Sequence, residues 1–203
     1  MGITLAYQEG QTPLDEEEKE GLLIPTITTR EELDEFEQLN IEKALEWTLR
    51  RRFTADTLFS EDTIRSLHKR MLGDVWRWAG EFRTSEKNIG ISRFQIPIEL
   101  RKLIDDTRYW VQAGIMEPDE IAIRFKHRIV SIHCFANGNG RHSRLMADII
   151  ASKFFQLPVF RWGNSALVKA DETRKQYLQA LHSADKNDYK KLITFARSGD
   201  GKA

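Results

Sequence analysis

Twelve consecutive residues, His133-Cys134-Phe135-Ala136-Asn137-Gly138-Asn139-Gly140-Arg141-His142-Ser143-Arg144, gather an imidazole, carboxamides, two glycines and two guanidiniums. Together these are the parts for reaction at a phosphate. An imidazole with an ordinary pKa of about 6.5 can take a proton near neutral pH. Glycines permit positive φ and let backbone amides approach a ligand. The uncapped amides and the dipole of a helix start favour negative charge. Arg141 and Arg144, three apart on a first helical turn, lie on one side and add fixed positive charge. A polyphosphate is the guest such a segment suits. Taken singly, a Gly-Asn-Gly between helices is an ordinary turn and a histidine at a helix end is structural; the conjunction is what points to a site.

The elements that must present these residues are legible on either side. Pro118 opens a helix in which Ile121, Phe125, Ile129 and Ile132 step by four, four and three, a buried stripe that leads into His133. From His142 to Phe155 the chain is helical again, until Pro158 and the turn Trp162-Gly163-Asn164. Upstream, Thr29 three residues before Glu32 is a capping-box spacing, and a helix follows to about Arg51 or Arg52. Another starts at Ser60 with Ile64, Leu67 and Met71 on one face and His68 on its surface. The fragments Glu81 to Thr84 and Ile89 to Ile91 flank Ser85 to Asn88 and read as a short β-hairpin. Pro97 to Gly114, Ala170 to Ala184 and Tyr189 to Arg197 complete the helices. The class expected is all-α with one small hairpin.

Length and composition bound the rest. The 203 residues suit one domain, expected as an extended arm over 1–27, a single domain over 28–198 and a flexible tail over 199–203. With 40% hydrophobic and 31% charged residues, intrinsic disorder of the whole chain is excluded. Thirty-one basic residues cancel thirty-one acidic ones, which argues against direct nucleic-acid binding. The single cysteine, Cys134, excludes an internal disulfide and fits the reducing cytoplasm. Neither a basic leader nor an apolar run near the roughly 20 residues of a membrane span is present, so no membrane partner is expected.

The twelve-residue segment resembles the signature of the Fic family: His, any residue, Phe, any, Asp or Glu, Gly-Asn-Gly-Arg, any two, Arg. The likeness extends to the arm with Gly-Gln-Thr-Pro-Leu-Asp, to Val75–Phe82, to Ser85–Gly90 and to Phe195–Ser198, which look like the subgroup called mobile mystery protein B. The resemblance implies a Fic fold, a helical bundle around a central helix-loop-helix. It also implies a cytoplasmic protein adenylyltransferase, toxin-like, that moves AMP from ATP, with Mg²⁺ or Mn²⁺, onto a Ser, Thr or Tyr hydroxyl of a target protein. His133 would be the general base, Gly138, Asn139 and Gly140 the anion hole with Asn139 orienting a phosphate, and Arg141 and Arg144 the phosphate ligands. Phe135 would pack the loop, and the hairpin would be a flap that registers an extended target segment. Two other readings stay open: a protein phosphotransferase on the same fold, and a nucleotide-binding interaction module without catalysis.

Two positions depart from the family pattern. Asn137 stands where an acid ordinarily helps hold the metal, and its carbonyl oxygen brings no charge to a hard cation. Cys134 replaces the usual proline, and a thiol nucleophile beside His133 is disfavoured because sequence neighbours rarely face each other. His127, His133 and His142 lack zinc-site spacing. Trp162, Gly163 and Tyr177 would border the adenine by analogy, or simply pack the core. The family's inhibitory pattern, Ser or Thr, three residues, Glu, then Gly or Asn, is incomplete: Thr12, Thr28 and Thr57 precede Glu16, Glu32 and Glu61, but Glu17, Leu33 and Asp62 follow. Restraint by a separate antitoxin-like companion protein is therefore the expectation.

Overall fold

The structure, a computed structural model, describes residues 13–163 and 170–199. In chain order its helices are α1 (Glu16–Lys19), α2 (Arg30–Leu49), α3 (Ala55–Leu58), α4 (Glu61–Leu72), α5 (Ile96–Ala113), α6 (Pro118–Ile132), α7 (Asn139–Ile149), α8 (Ala170–Ala184) and α9 (Lys190–Arg197). A 3₁₀ turn, Arg93–Gln95, leads into α5, and a π turn, Ile150–Phe154, extends α7 to the expected Phe155.

The ends of these helices obey local chemistry. Thr29 accepts from the Glu32 amide at 3.2 Å while Glu32 accepts from the Thr29 amide at 3.1 Å, which closes the expected box at the start of α2. Ser60 caps α4 at 3.2 Å. Thr54 caps the four-residue α3, a turn too short for periodicity to announce. Pro118 opens α6 with Asp119 and Glu120 in its first turn.

α6 is the centre of the bundle, packed between α5 and α7 and touching α9. Its stripe of Ile121, Phe125, Ile129 and Ile132 is buried. α4 bridges from α2 to the first turns of α7, and Phe59 meets Phe125 below it. The all-α class is therefore observed.

Two expectations need correction. The arm was expected to lack regular structure, yet it contains α1 and an isolated antiparallel bridge between Leu22 and Trp76. It docks through Leu14 and Ile27, which are buried, while Leu22 and Ile24 are half-buried and Leu23 is exposed. The hairpin over Phe82 to Ile91 does not form: among the described residues this stretch has no strand pairing. Its two arms are instead tied by one guanidinium, that of Arg83, which bonds the carbonyls of Ser85 (2.8 Å) and Ile91. β-propensity loses here because the stretch has no sheet to join. Residues 1–12 of the arm, Asn164 and residues 200–203 of the tail lie outside the described residues.

Candidate active site

His133 is the C-cap of α6 and takes a left-handed conformation, φ 58°. That turn brings the chain abruptly round, so Cys134 to Asn137 cross back to the start of α7. Phe135 then fills the space beneath, fully buried. It stacks on the His68 ring at 3.7 Å between centroids, meets His142 edge to face and lies tilted against Phe82.

His68 was expected on a helix surface and is instead fully buried. Its Nδ1 accepts from the Gly80 amide at 2.9 Å, which assigns the proton to Nε2, and Nε2 donates to the Asn137 carbonyl at 2.9 Å. Burial first, then the charges of His142 and Arg141, hold its pKa well below the usual value. A neutral ring thus acts as a strut between α4 and the loop. Nothing in a 3.6-residue period distinguishes this histidine from a surface one, and only the loop opposite reveals its use.

Asn139 closes the loop from the other side. Its Oδ1 accepts from the Phe135 amide at 3.0 Å and its Nδ2 donates to the Phe135 carbonyl at 2.7 Å. Expected to orient a phosphate, the side chain holds the turn with one donated and one accepted hydrogen bond. Gly138, at φ 76°, is the N-cap of α7, and a Cβ there would sit 2.6 Å from Leu72 Cδ1. A Cβ on Gly140 would meet open space. No side chain caps the first turn of α7, so its first amides carry the positive end of the helix dipole without a capping partner.

The two arginines differ. Arg141 donates from Nη1 to Glu37 Oε2 at 2.5 Å, and Glu37, itself buried, accepts the Trp76 indole proton on Oε1 at 2.6 Å. This carboxylate lies outside the family's inhibitory pattern, since Gln38 follows it and Leu33, not Ser or Thr, stands four residues before. Glu37 reaches Arg141, the first arginine of the segment. Arg144, half-buried, has no hydrogen bond or ion pair among the described residues. It lies within electrostatic reach of Lys126, Tyr177 and Asp148.

Burial, more than any neighbour, pushes the His133 imidazole down to about 4; the cations Arg83 and Lys87 push the same way, and a hydrogen bond with the Val130 backbone opposes them. The ring is therefore neutral at pH 7, with a free-enzyme pKa well under the 6.5 expected from the isolated side chain. Burial raises the Cys134 thiol to about 12, so it stays protonated and is no nucleophile. Burial also lifts Asp148 to about 6 while it accepts from the Phe160 amide (3.0 Å) and the Trp162 indole (3.2 Å). Trp162 is thereby held to α7, a Cβ on Gly163 would meet the Phe195 ring, and Tyr177 accepts from buried Lys126 at 2.5 Å and packs on Phe195.

His133 ends α6, Gly138 and Gly140 flank the first residue of α7, and Arg141 and Arg144 follow on that helix. Residues 58–151 match the Fic/DOC family model. Over that range the chain is similar to the Fic/DOC family. It is 28% identical over 140 residues to protein adenylyltransferase fic-1 of Caenorhabditis briggsae, covering 67% of this chain and 26% of that one. To protein adenylyltransferase Fic of Drosophila grimshawi it is 29% identical over 136 residues, 65% of this chain and 26% of the relative. The chain thus spans about a quarter of the length of these relatives. Among solved structures, Fic-1 from C. elegans superposes with TM-score 0.66 at 24% identity over 88% of this chain and 51% of that one. BepC of Bartonella tribocorum, solved with AMPPNP, gives 0.63 at 13% identity over 90% and 97%. These likenesses establish the fold of the Fic/DOC domain, and the segment His133 to Arg144 lies inside the matched range.

Proposed function

We propose that this Fic/DOC domain transfers AMP from ATP to a Ser, Thr or Tyr hydroxyl of a target protein. The observation that carries the reading is a buried His133 at the end of α6, joined by a short loop to the uncapped, glycine-flanked start of α7. That its curated relatives are named protein adenylyltransferases supports the same chemistry.

In the proposed step the target oxygen attacks the α-phosphorus, the bond from that phosphorus to the bridging oxygen of the β-phosphate breaks, and pyrophosphate leaves. His133 takes the hydroxyl proton. Its low pKa keeps the ring ready as an acceptor, and the negative charge of bound nucleotide raises its basicity where it is needed. The amides of Asn139, Gly140 and Arg141 at the start of α7 stabilise phosphate oxygens, and the guanidiniums of Arg141 and Arg144 hold the leaving phosphates.

The segment from His133 to Arg144 contains no acidic residue. Asn137 Oδ1 accepts from the Gly138 amide at 2.5 Å, and among the described residues no three His, Cys, Asp or Glu side chains form a metal cage. These donors do not fit a resident Mg²⁺ or Mn²⁺. A cation here is one that arrives on the nucleotide's phosphates, with Asn137 as at most one neutral oxygen toward it.

The test is incubation with α-labelled ATP and bacterial lysate beside His133→Ala. Label on a protein band that vanishes in the variant supports the reading. Label that comes only from the γ-phosphate makes the protein a phosphotransferase, and nucleotide binding with no transfer from either position makes it a binding module. The companion-protein reading is checked by co-expression with a neighbouring gene product, where a complex that lowers transfer is the expected result. The cytoplasmic placement is part of the same proposal; no described helix is long and apolar enough to cross a membrane.

A further inference from the structure

Arg83 immediately precedes the loop 84–92, and its side chain is fully buried. A buried guanidinium needs acceptors, and this one finds three carbonyls on two separate segments: Nε donates to His133 at 2.7 Å, Nη1 to Ser85 at 2.8 Å and Nη2 to Ile91. Its own backbone amide donates to the Cys134 carbonyl at 2.9 Å. Glu86, 3.6 Å away, partly balances its charge. We propose that Arg83 is the positioning residue for His133, fixing the backbone of the base and closing the 84–92 loop against it with one side chain. The inference rests on the proposed role of His133 as base.

Three observations carry it. First, the His133 carbonyl lies just past α6, where helix geometry leaves carbonyls without partners and the dipole favours a cation; the guanidinium supplies both the donors and the charge. Second, a left-handed backbone at a residue with a Cβ is costly and persists only where the surroundings over-determine it. Arg83 fixes the carbonyl side of that turn, and Gly90 lets the loop close against the side chain: at φ 95°, a Cβ on Gly90 would stand 2.5 Å from His133 Cβ. Third, the loop has no strand ladder to hold it; Arg83 joins its entry at Ser85 to its exit at Ile91 from the buried side, while Arg93 on the Thr84 carbonyl and Glu86 on Ser92 join them at the exposed rim. Lysine cannot reproduce this fork, since an ammonium is a point charge on a flexible stem. A base moved by a fraction of an ångström loses rate without loss of substrate.

Arg83 and Lys87 are the charged groups that lower the His133 titration, with Glu86 beside Arg83. Removing the Arg83 charge therefore moves that titration upward from about 4. The experiment compares Arg83→Met, Arg83→Lys and Gly90→Ala in the full chain, with His133→Ala assigning the imidazole resonance by NMR. Arg83→Met is expected to lose about tenfold or more in kcat with ATP Kd changed less than about twofold, and to shift the His133 titration upward. Arg83→Lys keeps the titration near 4 yet recovers only part of kcat, because charge returns without the fork. Gly90→Ala lowers kcat from the loop side with Arg83 intact.

A folded Arg83→Met with kcat within about twofold of the parent and an unmoved titration overturns the proposal, as do equal proportional losses in kcat and ATP affinity. Should Arg83→Met fail to fold, Arg83→Lys and Gly90→Ala decide by the same split. If the parent shows no transfer, or His133→Ala equals it, the base reading fails separately; the NMR titration then judges the Arg83 contact alone, an unmoved resonance refuting it.

Discussion

Two loops meet at His133, and they are held by different means. The loop from Cys134 to Gly138 is anchored by several buried groups at once: the His68 strut, the Phe135 stack and the paired hydrogen bonds of Asn139. The loop 84–92 is mostly exposed and is held by polar contacts: Arg83 to the Ser85 carbonyl, Lys87 and Ser85 to Asp15 and Glu18 of the arm, Arg93 to the Thr84 carbonyl, and Glu86 to Ser92 (3.0 Å) and the Arg93 amide. The difference teaches which perturbations spread. Disturbing the first loop removes core packing and reports as lost stability, whereas disturbing the second moves one edge of the site and reports as lost rate.

The contrast can be broken or sharpened at four further points. The largest effect belongs to His133→Ala, expected to lower kcat by about 10²- to 10⁴-fold with ATP binding nearly unchanged; single-turnover transfer and a binding isotherm check it, and retained transfer removes the base. Next, His68→Ala opens a cavity under Phe135 and orphans the Gly80 amide and the Asn137 carbonyl, a loss of about 3 kcal/mol or more read from urea unfolding. An unchanged midpoint would show the strut to be dispensable.

Third is the pH dependence of stability. His133 and His142 titrate at about 4 when folded and near 6.5 when unfolded, so the unfolded chain binds more protons between those values. Their contribution is full above pH 6.5 and lost as pH falls toward 4, about 3 kcal/mol each. Asp148, raised to about 6 by burial, acts with the opposite sign, its stabilisation being present at low pH and fading as pH rises from about 4 through 6. It offsets roughly one histidine. Urea midpoints across pH 4 to 7 should still fall toward the acid side, and a flat profile would contradict the burial of these rings.

The smallest effect concerns Arg141. Glu37→Gln keeps an acceptor for Trp76 but removes the negative charge beside Arg141, so ATP should bind roughly fivefold tighter, the scale of one partly screened charge pair. Weaker binding would show that Glu37 serves to orient the guanidinium.

Much of this was legible in the chain. The stripe from Ile121 to Ile132 fixed a buried α6, the caps Thr29 and Ser60 and the prolines at 97 and 118 fixed helix starts, and the twelve-residue segment marked the candidate site. These are local signals, set by side-chain period, capping geometry and φ restriction, and so they survive without knowledge of neighbours. What the sequence could not decide depends on which groups meet across the fold. His68 became a strut, Glu37 reached Arg141 across 104 residues, Asn139 turned inward, and the 84–92 stretch closed on Arg83 rather than as a hairpin. Likewise the His133 pKa fell to about 4 through burial, which no isolated imidazole carries in its sequence. Chain-local preferences specify elements; desolvation and long-range pairing, which exist only after packing, decide what each polar side chain is for.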